Sequence, residues 1–454
     1  MICAPTNKAV SHIAKRFLDS VRPDQAPSLR IIALGNEEKL DYVSDQRPFP
    51  VNMKAIYLFS WVRCTVDEYA MLKFGERGHY GVSELIEKRR RLKLLQNRLQ
   101  AFLGELPLDL VQALKAIDDV SLSANSSLDT LSFDRKIDDL IHIVLSLDQS
   151  FVRTTLLNNA NVIFSTLSAA RSAAAMSTSA IDCLIVDEAA AATEPALYVP
   201  FHLQPKKMLL VGDPMQLPAV VKSPLASSLG LAESFHERVT ERLFCREVVL
   251  LDTQYRMKPD ISLFPSLTFY NGMLRNGPNV INLYYGTATS YLLDGRSFIF
   301  LQVLGDATAS PITKSFSNYR EAEAILRLLC DLRTRADDRP WESEDRLRII
   351  TFYHEQVSLI RKVLRQHGGI EKVSVETVDS TQGCESDVVI LSFVKGSTSA
   401  GFLKDDRRLN VALTRARHQL ICVGDVDSMQ YLHEPGASTL RSLSADAFER
   451  NAVV

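Results

Sequence analysis

The chain has 454 residues, 46% of them hydrophobic and 23% charged, which is enough for two or three domains with their own cores. Its net charge of −2 argues against a basic, whole-surface binder of nucleic acid, although a local basic groove is compatible with a neutral protein. Seven cysteines (Cys3, Cys64, Cys183, Cys245, Cys330, Cys384 and Cys422) stand far apart with no CxxC pair, against both a disulfide framework and a cysteine zinc site. No apolar stretch reaches membrane-spanning length, and "MICAPTNKAV" lacks the charged-then-apolar layout of a signal peptide. The expectation is a soluble intracellular protein, cytoplasmic or nuclear, with no membrane partner.

In chain order, residues 36–155 carry no strand-like runs, and "SELIEKRRRLKLLQNRLQAFLGEL" has helical apolar spacing under a dense basic face. This predicts a helical insertion, whose basic face fits either a solvated surface or contact with nucleic acid. The short apolar runs "NVIFST", "CLIVDE" and "KMLLVGD" follow, each ending in polar or Gly/Pro residues. Residues 225–250 read as helix leading into a new strand, which puts a domain boundary near residue 247. Beyond it come "RLRIITFY", the helical pattern "HEQVSLIRKVLRQH", "VVILSFV" and "LICVGD". Near-continuous apolar strands alternating with helices predict an α/β fold, its parallel sheets buried on both faces. In such sheets ligands sit at the carboxyl ends of the strands.

Three stretches carry candidate chemistry. In "IVDEAA", Asp187 would hold Mg2+ through its water shell and Glu188 would polarise an attacking water, since phosphoryl transfer needs positioning and charge neutralisation. An acid pair after a strand also fits a helix N-terminus that favours negative charge. In "LLVGDPMQLPAVV", Gln216 can hydrogen-bond a terminal phosphate, and the plainer alternative is a Pro-bounded turn. "LDTQYRMKPDISLFPSLTFYNGML" offers Arg256 as a phosphate-reaching guanidinium and Tyr255 as a flat surface for a base. "DDRRLNVALTRARHQL" adds Arg415 and Arg417, each of which also fits an ordinary surface arginine.

The order of "APTNKAV", "VIFSTLSAA", "DEAAAATEP", "GDPMQLPAVV", "QYRMKPDISLFPSLTFYNGML", "TFYHEQVSLI", "TVDSTQGCESDVVILSFV" and "GFLKDDRRLNVALTRARHQLICVGD" resembles motifs Ia, Ib, II, III, IV, IVa, V and VI of superfamily-1B helicases. The nearest type is the nonsense-mediated-decay helicase and senataxin branch. The resemblance implies two RecA-like domains, 1–246 and 247–454, with the insertion in the first. It implies ATP and Mg2+ between the domains and single-stranded RNA or DNA across their tops, with RNA-processing or RNA-decay proteins as partners. By motif, Asp187 and Glu188 would serve Mg2+ and water, Gln216 the terminal phosphate, and Arg256 and Arg415 the phosphates. Tyr255 would take the adenine face and Glu385 the ribose, with Gly383 also at the nucleotide. Pro5, Thr6, Asn7, Thr166, Thr351 and Thr377 would touch the nucleic-acid backbone.

The family's phosphate-binding loop lies upstream of motif Ia, whereas this sequence starts at motif Ia and contains no Gly-Lys dipeptide. Ala191 stands where motif II usually has glutamine, Phe352 replaces a proline in motif IVa, and Thr381 replaces an aromatic in motif V. Two expectations follow: a truncated helicase core, inactive alone, or a non-hydrolysing pseudo-helicase that binds single strands or a protein partner.

Overall fold

The computed structural model describes residues 1–21, 31–34, 112, 157–158, 160–171, 180–242, 248–282, 293, 295–335, 342–370, 372–394 and 401–454. The predicted helical insertion, residues 36–155, lies outside the described residues apart from residue 112, and the boundary region 243–247 lies outside them entirely. The chain forms two compact units, one of Met1–Gly212 with Ser223–His236, the other of Asp213–Lys222 with Glu237–Val454.

The first unit is built on a parallel sheet. Its elements are β1 (Ile2–Ala4), α1 (Asn7–Ser20), β2 (Ile31–Leu34), β3 (Val162–Thr166), β4 (Cys183–Val186) and β5 (Lys207–Leu210), in the spatial order β2-β3-β1-β4-β5. Val10 and Ala14, one turn apart on α1, face the sheet and pack with Ala4, Ile31 and Phe164, while the rings of Phe17 and Phe164 meet edge to face at 5.6 Å. At the other side of the sheet, edge strand β5 leaves Met208 and Leu209 exposed on successive, hence opposite, faces.

The second unit contains β6 (Thr253–Gln254), α2 (Pro259–Phe269), β7 (Arg275–Asn276), β8 (Phe298–Gln302), β9 (Thr308–Ala309), β10 (Phe316–Ser317), α3 (Tyr319–Arg335), β11 (Leu347–Thr351), α4 (His354–His367), β12 (Ser374–Thr377), β13 (Ser386–Ser392), α5 (Asp406–Leu413), β14 (Ala416–Gly424) and α6 (Ser438–Glu449). Five of the strands make a parallel sheet in the order β12-β11-β13-β14-β8. Side chains alternate across it. Ile350, Val389, Leu391, Leu420 and Cys422 join Ile261, Leu409 and Leu440 of α2, α5 and α6 on one face. Ile349, Val388, Ile390, Ile421 and Val423 join Ile325, Leu329, Ile360 and Leu364 of α3 and α4 on the other. Both faces are therefore dry, and this is why these strands read as unbroken apolar runs. Each fully buried aliphatic side chain contributes about 1.5–3 kcal/mol.

A buried polar network sits at the end of β13. Glu321, in the first turn of α3 and 1% exposed, accepts from Ser392 Oγ at 2.6 Å and from the Val394 amide at 2.9 and 3.0 Å. Val394 has φ 69°, an uncommon left-handed conformation for a β-branched residue. Gln356 completes the network, donating to Ser392 Oγ at 3.0 Å and to the Asn318 carbonyl at 3.2 Å while accepting from the Asn318 amide at 2.8 Å. The network holds the chain where it leaves β13.

Candidate functional site

In the first unit the candidate residues collect at the carboxyl ends of the parallel strands. Pro5, Thr6 and Asn7 follow β1, Thr166 ends β3, and Asp187 and Glu188 follow β4. Thr6 Oγ1 accepts from the Ala9 amide at 3.2 Å as α1 begins, and Thr166 Oγ1 accepts from the Ala169 amide at 3.1 Å. These hydroxyls are thus already used in shaping local turns. Asn7 Oδ1 is buried and has no hydrogen-bond partner among the described residues.

The acid pair is held firmly. The Asp187 amide donates to Cys3 O at 2.9 Å, and the Ala189 amide to Val211 O at 2.9 Å, so the backbone on both sides of Glu188 is tied to neighbouring chain. Glu188 itself is left-handed, φ 51° and ψ 38°, a conformation costing roughly 1–2 kcal/mol for an L-residue. Gly212 makes the turn possible, because a Cβ there would lie 2.9 Å from the Ala190 amide nitrogen and 3.1 Å from that of Ala189. Burial pushes the Asp187 carboxyl above the usual carboxylate range, outweighing the Glu188 amide and the charges of His12 and Arg16, which pull it down. A divalent cation would relieve that cost. Among the described residues no cluster of three or more His, Cys, Asp or Glu could hold a metal, so a cation at Asp187 would take most of its ligands from water or phosphate.

In the second unit the candidates divide between the two ends of the sheet. Gly383 and Glu385 precede β13 and Arg415 precedes β14, so they stand at amino ends, contrary to the general expectation of carboxyl ends. Thr351 and Thr377 end β11 and β12, at the carboxyl ends of the strands. Arg256 donates through Nε to Glu385 Oε2 at 2.6 Å and through Nη1 to Thr414 O at 3.0 Å. Arg417 Nη1 approaches Glu385 Oε1 at 3.5 Å, so one carboxylate lies between two guanidinium groups. Arg417 Nε also donates to Asp387 Oδ1 at 2.9 Å. Burial alone would raise Asp387, but the bonds and charges of His418 and Arg417 hold it below the ordinary range.

Arg415 is a buried arginine at 2% exposure, which removes the surface-arginine alternative for this position. Its donors go to Val411 O at 2.8 Å, Cys384 O at 3.3 Å and Thr414 Oγ1 at 3.0 Å. Tyr255 is 60% exposed, and its ring covers Gly277 so closely that a Cβ there would fall 2.3 Å from the Tyr255 ring carbon Cδ1. The ring thus packs against Gly277 while most of the side chain stays exposed. Gly383 has φ 77°, the left-handed region that glycine takes without strain. Thr351 is fully buried, with Oγ1 lacking a partner among the described residues, and Thr377 Oγ1 lies 3.3 Å from Ser380 Oγ.

Three groups absent from the sequence reading prove central here. Gln254 staples the turn that carries Tyr255 and Arg256, its Oε1 accepting from the Arg256 and Met257 amides at 2.9 and 2.8 Å. Tyr270 and Asn410 bind the loop of Gln216, with Tyr270 Oη donating to Asp213 Oδ2 at 2.6 Å and Asn410 Nδ2 to Met215 O at 2.8 Å. All three lie within the quoted motif stretches. Asn410, a lone amide in "LNVAL", carried the signal of a polar group buried for a reason.

Comparison with known proteins gives one AAA domain profile matching residues 1–224 and a second matching residues 231–427. Helicase sen1 of Schizosaccharomyces pombe is 29% identical over 457 aligned residues, covering 95% of this chain and 25% of its own. Probable helicase MAGATAMA 3 of Arabidopsis thaliana is 36% identical, covering 62% of this chain and 35% of its own. The Regulator of nonsense transcripts 1 homolog of Arabidopsis thaliana is 34% identical, covering 53% of this chain and 19% of its own. The chain thus spans about a third or less of the length of these relatives.

Proposed function

We propose that this chain, which belongs to the superfamily-1 helicases of the nonsense-mediated-decay and senataxin type, forms the core of an ATP-dependent motor on single-stranded RNA or DNA. The observation that carries the reading is the acid pair after β4, where a half-buried Asp187 precedes a Glu188 held left-handed by the close approach of Gly212. Such a turn fits a catalytic position, because strained backbone persists where the surroundings over-determine it.

In this reading Asp187 holds Mg2+ through water, and Glu188 orients and polarises the water that attacks. Bound ATP would supply the phosphoanhydride whose hydrolysis drives movement, and Mg2+ would neutralise the charge on its phosphates. Gln216 meets the terminal phosphate, and Tyr255 offers its open ring to the adenine. Arg256 and Arg415 serve the phosphates by exchanging a carbonyl or carboxylate partner for a phosphate oxygen, a stronger charge-assisted bond where it replaces a carbonyl. Glu385 meets the ribose, with Gly383 also at the nucleotide. The domains in this reading are 1–246, which carries Asp187 and Glu188, and 247–454, which carries Arg256 and Arg415. Pro5, Thr6, Asn7, Thr166 and Thr377 lie at strand ends suited to a sugar-phosphate backbone, while Thr351 would first have to be uncovered. RNA-processing or RNA-decay proteins are the partner class this reading implies, inside the cell, in cytoplasm or nucleus. Among the described residues no helix is long and apolar enough to cross a membrane.

Titration of labelled oligo-uridine and oligo-thymidine tests the reading. Weak binding to the 454-residue chain is expected at low salt, falling about tenfold between 50 and 200 mM as counterions are released from a few phosphate contacts. Absence of binding to both oligonucleotides at the lowest salt would overturn it.

A further inference from the structure

Within the second unit a continuous chain of hydrogen bonds joins the turn of Gln216 to Arg415. Gln216 Nε2 donates to Asp213 Oδ2 at 2.9 Å, and Tyr270 Oη donates to that same oxygen at 2.6 Å. The Met215 amide occupies the other oxygen, Asp213 Oδ1, at 2.9 Å. Asn410 Nδ2 donates to Tyr270 Oη at 2.7 Å and to Met215 O at 2.8 Å, which closes a ring through Asp213, Tyr270, Asn410 and Met215. From Asn410 the chain runs on along α5. Thr414 Oγ1 donates to Asn410 O at 2.8 Å and accepts from Arg415 Nη2 at 3.0 Å. Arg256 joins at the same residue through Thr414 O.

We propose that Tyr270 and Asn410 are positioning residues that couple the orientation of Gln216 to that of Arg415. The inference rests on the phosphate-facing roles of those two residues proposed above.

The direction of each bond supports the coupling. A tyrosine hydroxyl has one proton, and here it goes to Asp213, so the oxygen is left to accept from Asn410. Both Asn410 donors meet acceptors, which fixes its amide against a flip, and its Oδ1 is left buried with no partner among the described residues. Asp213 Oδ2 is shared by Gln216 and Tyr270. If the Gln216 amide turns toward a phosphate it releases that oxygen, Tyr270 becomes its sole donor, and the ring tightens on Asn410 at the head of the path to Arg415. Burial, followed by the Asp213 charge, holds the Tyr270 hydroxyl above its ordinary range, so it keeps its proton and the chain keeps its sense at any physiological pH.

The test is amide hydrogen exchange on the 454-residue chain, comparing wild type, Tyr270→Phe and Asn410→Ala with Gln216→Ala. Tyr270→Phe removes one hydroxyl, and the expected result is faster exchange, by about tenfold, at both residues 214–217 and residues 413–416, with the rest of the second unit unchanged. Gln216→Ala should change exchange at 413–416 in wild type but not in Tyr270→Phe. A second arm measures turnover in a chimera carrying a relative's phosphate-loop segment. There Tyr270→Phe should lower kcat about tenfold with little change in KM for ATP, and the double variant with Gln216→Ala should be no worse than the more impaired single variant. Loosening confined to 214–217, a uniform loss of protection, or additive kinetic losses would overturn the coupling. A chimera without turnover would count against the hydrolase reading alone, and the exchange pattern would still decide the coupling.

Discussion

Phosphate release by the 454-residue polypeptide is expected to stay at background with ATP, Mg2+ and single-stranded nucleic acid present, whereas a chimera bearing a relative's phosphate-loop segment turns over. The sequence has no Gly-Lys dipeptide, and so none of the backbone cradle and lysine that hold β- and γ-phosphates in enzymes of this chemistry. Removing a single preorganised donor costs roughly 100- to 1000-fold in rate, and a whole loop costs more. Arg256 and Arg415, bonded here to Glu385, Thr414, Val411 and Cys384, are two guanidinium groups and cannot replace a loop's row of amides and its lysine. The grafted segment has a place to pair, because β5 is an edge strand with Met208 and Leu209 uncovered on its opposite faces. Glu188→Gln in the chimera should lower kcat by about 100- to 1000-fold with little change in nucleotide affinity, as expected for a group acting on the attacking water. Turnover by the ungrafted polypeptide that vanishes on Glu188→Gln would show the loop to be dispensable. A folded but silent chimera would favour the non-hydrolysing pseudo-helicase.

The second large effect is expected at Glu321. Burial pushes its carboxyl up to about 8, against the hydrogen bonds from Ser392 and the backbone amides of Val394 and Phe393, which pull it down. The folded state therefore holds a proton that the unfolded chain gives up near pH 4.5. The stability contributed by this group is fully present below pH 4.5 and is lost as pH rises through about 8, on the order of a few kcal/mol. Denaturant titrations at pH 5, 7 and 9 should show Glu321→Gln gaining on wild type as pH rises, because the amide keeps an acceptor for Val394 and the Ser392 hydroxyl can rotate to accept. Glu321→Ala should be less stable than wild type by about 2–4 kcal/mol at pH 5, since it leaves buried donors unpaired and opens a cavity, and this deficit should shrink as pH rises because the variant has no carboxyl to ionise. An unchanged difference between wild type and Glu321→Gln from pH 5 to 9 would refute the assignment. Asp387 acts in the opposite sense, stabilising above its unfolded pKa and losing effect as acid protonates it, so the comparison at Glu321 must be made between variants rather than on wild type alone.

The strands with dry faces were the easiest to read. "CLIVDE" and "RLRIITFY" contain β4 and β11, "VVILSFV" overlaps β13 from Val388 to Ser392, and "HEQVSLIRKVLRQH" coincides with α4. Those stretches bury one or two faces by local pattern alone. Strand β12, Ser374–Thr377, alternates polar and apolar over four residues and offers no run to detect, and β1 is three residues long. Strand β8, Phe298–Gln302, was as apolar as the others and its signal was present. At the site, Asp187, Glu188 and Gln216 stood out by residue type and spacing. The partners Tyr270 and Asn410 did not, because they reach the turn of Asp213 and Gln216 only through tertiary hydrogen bonds. Left-handed Glu188 was equally hidden, since nothing in a glutamate announces φ 51°.

The division of the second unit's sheet has a mechanical meaning. Gly383, Glu385 and Arg415 stand at one end of its strands and Thr377 at the other, and the seven residues of β13 set a lever arm on the order of 20 Å between them. With both faces packed, the strands between cannot slide or stretch individually, so the sheet moves as a stiff plate. A tilt of a few degrees imposed at the arginine end would swing the threonine end by an ångström or more, a stroke delivered without any residue in between changing its neighbours.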